Sequence, residues 1–218
     1  MKNSNSYLML RDINTPEEEK IKFIRGHKDE LTKSDWDNIS YGDLSEDFIS
    51  EFQDNVNWKL VSYRQKLSKD FIRKFSDKID WGSCSRRKYL PEDFIREFSD
   101  KVDWKEISSC QELSEDFIRE FSDKVDWESI SSNQKLSEDF IREFSDKVDW
   151  IDISSSQELS EDFIREFSEM VDWEYISSEQ KLSEDFIYEF QDEVDWENIF
   201  RYQNLSHDFF KRIEIREE

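Results

Sequence analysis

Apolar positions recur along this chain in a fixed block. Between Trp127 and Asp149 they fall at Trp127, Ile130, Leu136, Phe140, Ile141, Phe144 and Val148, with polar and charged residues between. Phe140, Ile141, Phe144 and Val148 share one face of a helix, and Trp150 and Ile153, three apart, begin another. Trp stands at 36, 58, 81, 104, 127, 150, 173 and 196, with one interval of 22 and six of 23. A constant period of this size marks a repeat architecture. Leucine-rich repeats are of similar length but need alternating Leu along a strand, and this block holds one Leu. The pattern therefore predicts an all-α fold. It is an α-solenoid of eight 23-residue helix-pair repeats over 36–218, with residues 1–35 as an N-terminal cap.

Capping residues place the helices. Ser137 suits an N-cap, Glu138 and Asp139 face the positive end of the helix dipole, and Leu136 with Ile141 forms a hydrophobic staple. Asp149, Val148 and Ile153 repeat the device. Each repeat then reads as helix A, about Trp150 to Gln157, and helix B, about Glu161 to Met170. In the cap, Thr15-Pro16-Glu17-Glu18 predicts a helix start, Ile21, Phe23 and Ile24 its apolar surface, and Gly26 its stop. Gln65, Gln111, Gln134, Gln157, Gln180 and Gln203 stand seven residues after Trp. They are expected to form a buried ladder, because short helices leave many carbonyls without partners. Glu138–Arg142 and Glu143–Lys147 read as i,i+4 pairs on helix B. The last repeat degenerates, with Phe210 for Ile and Ile213 for Phe before Arg216-Glu217-Glu218, as terminal repeats do. Eight repeats at about 9 Å predict a stack of roughly 70 Å.

Composition narrows the class. Charged residues reach 39%, yet 18 Phe, 8 Trp and 7 Tyr argue against disorder. Three Gly and two Pro exclude collagen, flexible linkers and most turn-rich β folds. No apolar run is long enough to span a membrane, and Tyr7 to Leu10 is too short for a signal peptide. Two Cys cannot build a disulfide framework, which fits the cytoplasm. His27 and His207 lie near opposite ends of the array, Cys84 occupies an apolar slot, and Cys110 is on the variable surface. The recurrent Asp47 to Asp208 positions read as charge at helix N-termini rather than a calcium site. With no Ser/His/Asp set, Gly-rich phosphate loop or metal-spaced cluster in the sequence, we expect no enzyme activity, cofactor or metal.

Charge is the most informative part of the composition. The net −23 is uneven, with −20 between 104 and 195. The preceding two repeats hold Lys59, Tyr63, Arg64, Lys66, Arg86, Arg87, Lys88 and Tyr89. Four stacked repeats span roughly 36 Å, so the acidic stretch carries about one charge per 1.8 Å, near the ~1.7 Å of duplex DNA. We therefore expect a basic protein or ribonucleoprotein surface as partner, bound through acids such as Glu161, Asp162, Glu184 and Asp185. Direct nucleic-acid binding is not expected, because the acidic repeats repel a polyanion. The alternative is a protein-interaction scaffold reading its partner through the variable helix A face around Tyr63, Arg64, Arg86 and Arg87.

The stretch from Leu136 to Trp150, Leu-Ser-Glu-Asp-Phe-Ile-Arg-Glu-Phe-Ser-Asp-Lys-Val-Asp-Trp, resembles Trp-containing repeats of this length encoded by tailed phages and some large DNA viruses. The resemblance covers nearly all of 36–218 and carries no assigned activity or site. It implies a viral accessory protein, a class that often counters host defences, acting in the host cytoplasm. The first repeat is one residue short, and Pro91 replaces a capping Ser, so local distortions are expected there.

Overall fold

In the computed structural model the capping residues hold the helices where the sequence places them. Ser137 Oγ accepts the Phe140 N–H at 3.2 Å, and Asp149 Oδ1 accepts those of Ile151 and Asp152 at 3.0 and 3.1 Å. The structure describes Leu10 and residues 15–87 and 89–214. Tyr7 to Met9, Lys88 and Arg216 to Glu218, all used above, lie outside the described residues. Every regular element among the described residues is helical.

The chain divides into two compact units, residues 1–111 and 112–218. The first holds α1 (Glu17–His27), α2 (Lys33–Tyr41), α3 (Glu46–Glu51), α4 (Trp58–Arg64), α5 (Lys69–Lys74), α6 (Trp81–Ser85), α7 (Glu92–Glu97) and α8 (Trp104–Cys110). The second holds α9 (Glu115–Glu120), α10 (Trp127–Asn133), α11 (Glu138–Glu143), α12 (Trp150–Ser156), α13 (Glu161–Glu166), α14 (Trp173–Glu179), α15 (Glu184–Glu189), α16 (Trp196–Tyr202) and α17 (His207–Glu214). From α2 onward the helices alternate as A and B, eight of each, and each unit is a segment of α-solenoid. None of these helices is long and apolar enough to cross a membrane.

Neighbouring repeats share their cores, which is why they stack. Ile164 and Val171 pack with Ile176 and Phe186 of the following repeat. In the first unit Leu10 and Ile24 join Trp36, Ile39, Phe48 and Ile49, so α1 closes the core of the first repeat. In most repeats the Phe and Ile of helix B are almost wholly buried, and each such side chain contributes about 1.5–3 kcal/mol of transfer free energy. Successive A helices pack directly on one another, α10 on α12, α12 on α14 and α14 on α16. A small residue four after Trp permits this approach. Ser131, Ser154 and Ser177 are fully buried, and their hydroxyls accept the N–H of Asp149, Asp172 and Asp195 at 2.9 Å.

Three local expectations are corrected. Helix B ends at Glu166 rather than Met170, because Phe167 adopts φ −112 and ψ 27. That bend frees the Ser168 carbonyl to accept the Trp173 indole N–H at 3.1 Å. Because helix B stops at Glu143, Lys147 is not on the next helical turn, and Glu143 pairs with Arg119 of the preceding repeat at 2.6 Å. In the cap, Pro16 rather than Thr15 holds the N-cap position without a side-chain bond, and the helix runs through Gly26 to His27.

Candidate functional site

The repeat interface decides which polar groups remain available to a partner. Gln157 Nε2 donates to the Ser131 and Gln134 carbonyls at 2.9 and 2.8 Å, while its Oε1 accepts the Leu136 N–H at 3.1 Å. Gln65, Gln111, Gln180 and Gln203 make the same three contacts in their own interfaces. The ladder is thus a side chain that satisfies the open end of the preceding helix A. In the third repeat Lys88 stands in the glutamine position, and Arg87 supplies the rung instead. Its guanidinium donates to the Ser62 carbonyl at 2.7 Å and to that of Gln65. Burial pulls its pKa below the usual guanidinium range.

Arg87 is therefore turned into the stack rather than presented to a partner. Arg86 and Arg64 also hold contacts within the chain, while Lys59 and Lys66 are exposed. Arg86 pairs with Glu106, whose carboxyl is held below its ordinary pKa chiefly by that hydrogen bond. Arg64 donates to the Tyr41 carbonyl at 3.0 Å and lies 3.8 Å over the Tyr41 ring. Tyr63 stays exposed. A cavity of about 640 Å³ opens beside Arg64, bounded by buried Ile24, Ile39 and Phe48 and by Leu10 and Thr15. Residues 11–14, between the last two, lie outside the described residues.

The acids of helix B have internal work as well. Glu161 Oε1 accepts the Ser183 N–H of the next repeat at 2.6 Å, and Glu184 accepts that of Ser206. Glu46, Glu115 and Glu138 do the same for Ser68, Ser137 and Ser160, and Glu17 of α1 does it for Ser45. Asp162 pairs with Arg165 at 2.8 Å and Asp185 with Arg212 at 2.6 Å. Arg165 also reaches Glu189 of the next repeat at 2.8 Å, as Arg142 reaches Glu166 at 2.7 Å. All four acids named from sequence thus have partners within the chain, although both aspartates remain largely exposed.

A second acidic row lies at the turn from helix B to the next helix A, and sequence reading passed over it. In the first unit its acids are matched by a lysine one repeat later, Lys78 to Asp54 at 2.6 Å and Lys101 to Asp77 at 4.0 Å. In the second unit Lys147 lies over the Trp127 and Phe144 rings at 5.7 and 5.6 Å. The next two residues in that lysine position are Met170 and Glu193. The side chains of Asp146, Glu169, Asp192 and Glu193 are exposed there, and their carboxylates make no ion pair or hydrogen bond among the described residues. The signal was legible as the series Lys124, Lys147, Met170, Glu193 at intervals of 23.

Charge separates the two units sharply. Residues 112–218 carry 32 acidic and 11 basic side chains, a formal −21, against −2 for residues 1–111. On helix A, Asp152 has its pKa raised by burial, with Asp149 and Glu128 adding repulsion. No three His, Cys, Asp or Glu among the described residues are grouped as metal ligands would be. The arrangement can attract and seat cationic surface. Comparison of the chain with protein-family models, curated proteins and solved structures finds no match, so a functional reading rests on this geometry and charge.

Proposed function

We propose that this chain is a non-enzymatic binding protein whose acidic second unit occupies a basic groove on a nucleic-acid-binding complex. A viral anti-defence mimic would work in this way, and the resemblance of the repeats to viral ones agrees with that role. The observation that carries the reading is the −21 of residues 112–218, with a row of carboxylates outside the internal pairing network. Attraction between such a surface and a basic groove gives fast, steeply salt-dependent association. In the alternative reading a partner meets the helix A face around Tyr63, Arg64, Arg86 and Arg87, where Tyr63 is exposed and the three arginines hold contacts within the chain.

A partner captured from host extract should be basic and should release its nucleic acid when this chain binds. Its affinity should fall steeply as salt rises. The chain alone should not shift a short DNA duplex at physiological salt. A partner that holds this chain and its nucleic acid together would refute the mimic reading.

A further inference from the structure

The turn between helix B and the next Trp holds a cation in one repeat and lacks it in another, on nearly the same framework. In the fifth repeat, Trp127 and Phe144 lie 5.0 Å apart at 35°, and the Trp127 indole donates to the Ser122 carbonyl at 3.1 Å. The Lys147 ammonium sits over both rings and donates to that carbonyl at 3.4 Å. In the seventh repeat, Trp173 and Phe190 lie 5.0 Å apart at 32°, and the Trp173 indole donates to Ser168 at 3.1 Å. The framework is preserved, but Glu193 stands where Lys147 stands, and Glu169 replaces Asp123. Both rings are half-buried, and both glutamates are exposed.

An aromatic face attracts a cation through its quadrupole, and adjoining carboxylates strengthen the attraction. In the fifth repeat the chain supplies that cation itself. In the seventh it supplies a second anion.

We propose that Trp173 and Phe190, flanked by Glu169 and Glu193, form a seat for a lysine or arginine side chain of a basic partner. This deepens the acidic-surface reading and rests on it. The seat gives that surface a fixed point, where diffuse attraction is converted into one oriented contact. Met170 breaks the lysine series one repeat earlier and leaves Asp146 to extend the acidic edge beside it.

The test is titration of the full-length chain with decalysine, followed by NMR of the eight tryptophan indole N–H signals, with Trp173 assigned through Trp173→Phe. The Trp173 signal should move first and furthest, and that of Trp127, which already carries Lys147, should move little. Glu193→Lys restores the residue type of the fifth repeat, so it should fold normally and fill the seat from within. It should abolish the Trp173 response and weaken decalysine roughly fivefold. Glu174→Lys, an equal charge change on helix A of the same repeat, should leave the Trp173 response in place. If all eight indoles respond alike, or the two variants weaken binding equally, the seat is wrong while the acidic-surface reading stands. If decalysine does not bind at low salt, both fall.

Discussion

Replacing Gln157 with alanine should be among the most damaging single changes on the helix A side of the second unit. The amide makes three hydrogen bonds, all to backbone groups of the preceding repeat, and Gln157 is 6% exposed. Truncation leaves the Leu136 N–H and the Ser131 and Gln134 carbonyls without that partner. A buried polar group left unmade costs about 1–3 kcal/mol, and a water entering the space would recover part of the sum, so a loss of about 3 kcal/mol is expected. Urea unfolding followed by helical circular dichroism reads this directly, provided the slope is unchanged. Gln157→Glu separates hydrogen bonding from packing. One carboxylate oxygen can still accept from Leu136, but the other faces two carbonyls where the amide donated. The folded state then favours the protonated acid, so its pKa is raised above the unfolded value of about 4.3. Stability of that variant is greatest below the unfolded pKa and declines as pH rises toward the folded one. An alanine variant within about 0.5 kcal/mol of the parent would refute the ladder as a source of cohesion.

Two further tests probe the irregular third repeat and its join to the second. Pro91 has no N–H to donate and Lys69 cannot accept one, so the link that Glu46 makes to Ser68 is missing on both sides. Lys69→Glu with Pro91→Ser should show a favourable coupling of about 1 kcal/mol in a double-mutant cycle, and additive single effects would contradict it. Arg87→Ala should lower stability by about 2 kcal/mol, through the two carbonyls it serves, while leaving partner affinity unchanged. Chemical denaturation and a binding titration on the same sample decide between that and a surface role.

The parts of this fold legible in sequence are those in which a residue acts within a few positions of itself. Ser137 and Asp149 cap the helices they begin, and the apolar spacing of Phe140, Ile141 and Val148 matches their burial. The glutamines could also be read, because their recurrence at one position of short helices points to unpaired carbonyls. What escaped is set across repeats. Helix B stops at Glu166 with the bend at Phe167, and the freed Ser168 carbonyl is taken by the Trp173 indole at the start of the next repeat. The partner of Glu143 is Arg119, 24 positions back, and not Lys147 four ahead. Glu161 and Glu184 look like free surface charge until the Ser183 and Ser206 N–H groups of the following repeat are seen against them.

Departures from the repeat consensus fall into two kinds, and the difference bears on function. At Lys88, the displaced glutamine is replaced by its neighbour Arg87, which reaches the same two carbonyls. At Tyr188, where the second to sixth repeats carry an arginine, Arg212 of the next repeat stacks on the ring at 3.9 Å and pairs with Asp185. At Lys69, the lost acceptor is offset by a pair with Asp93. In each of these the chain itself supplies the missing contact, as expected of positions whose role is to hold the stack. Met170 and Glu193 differ. Their lysine is gone, and no side chain among the described residues moves in to replace it. Among the described residues, Asp146, Glu169, Glu193 and the Trp173 ring are left where the lysine contact of other repeats is missing without an internal substitute. Cohesion gains nothing from stripping a cation off an aromatic face and setting an anion there, since like charges at close spacing repel. That loss of cohesion is intelligible if the missing cation arrives from another molecule.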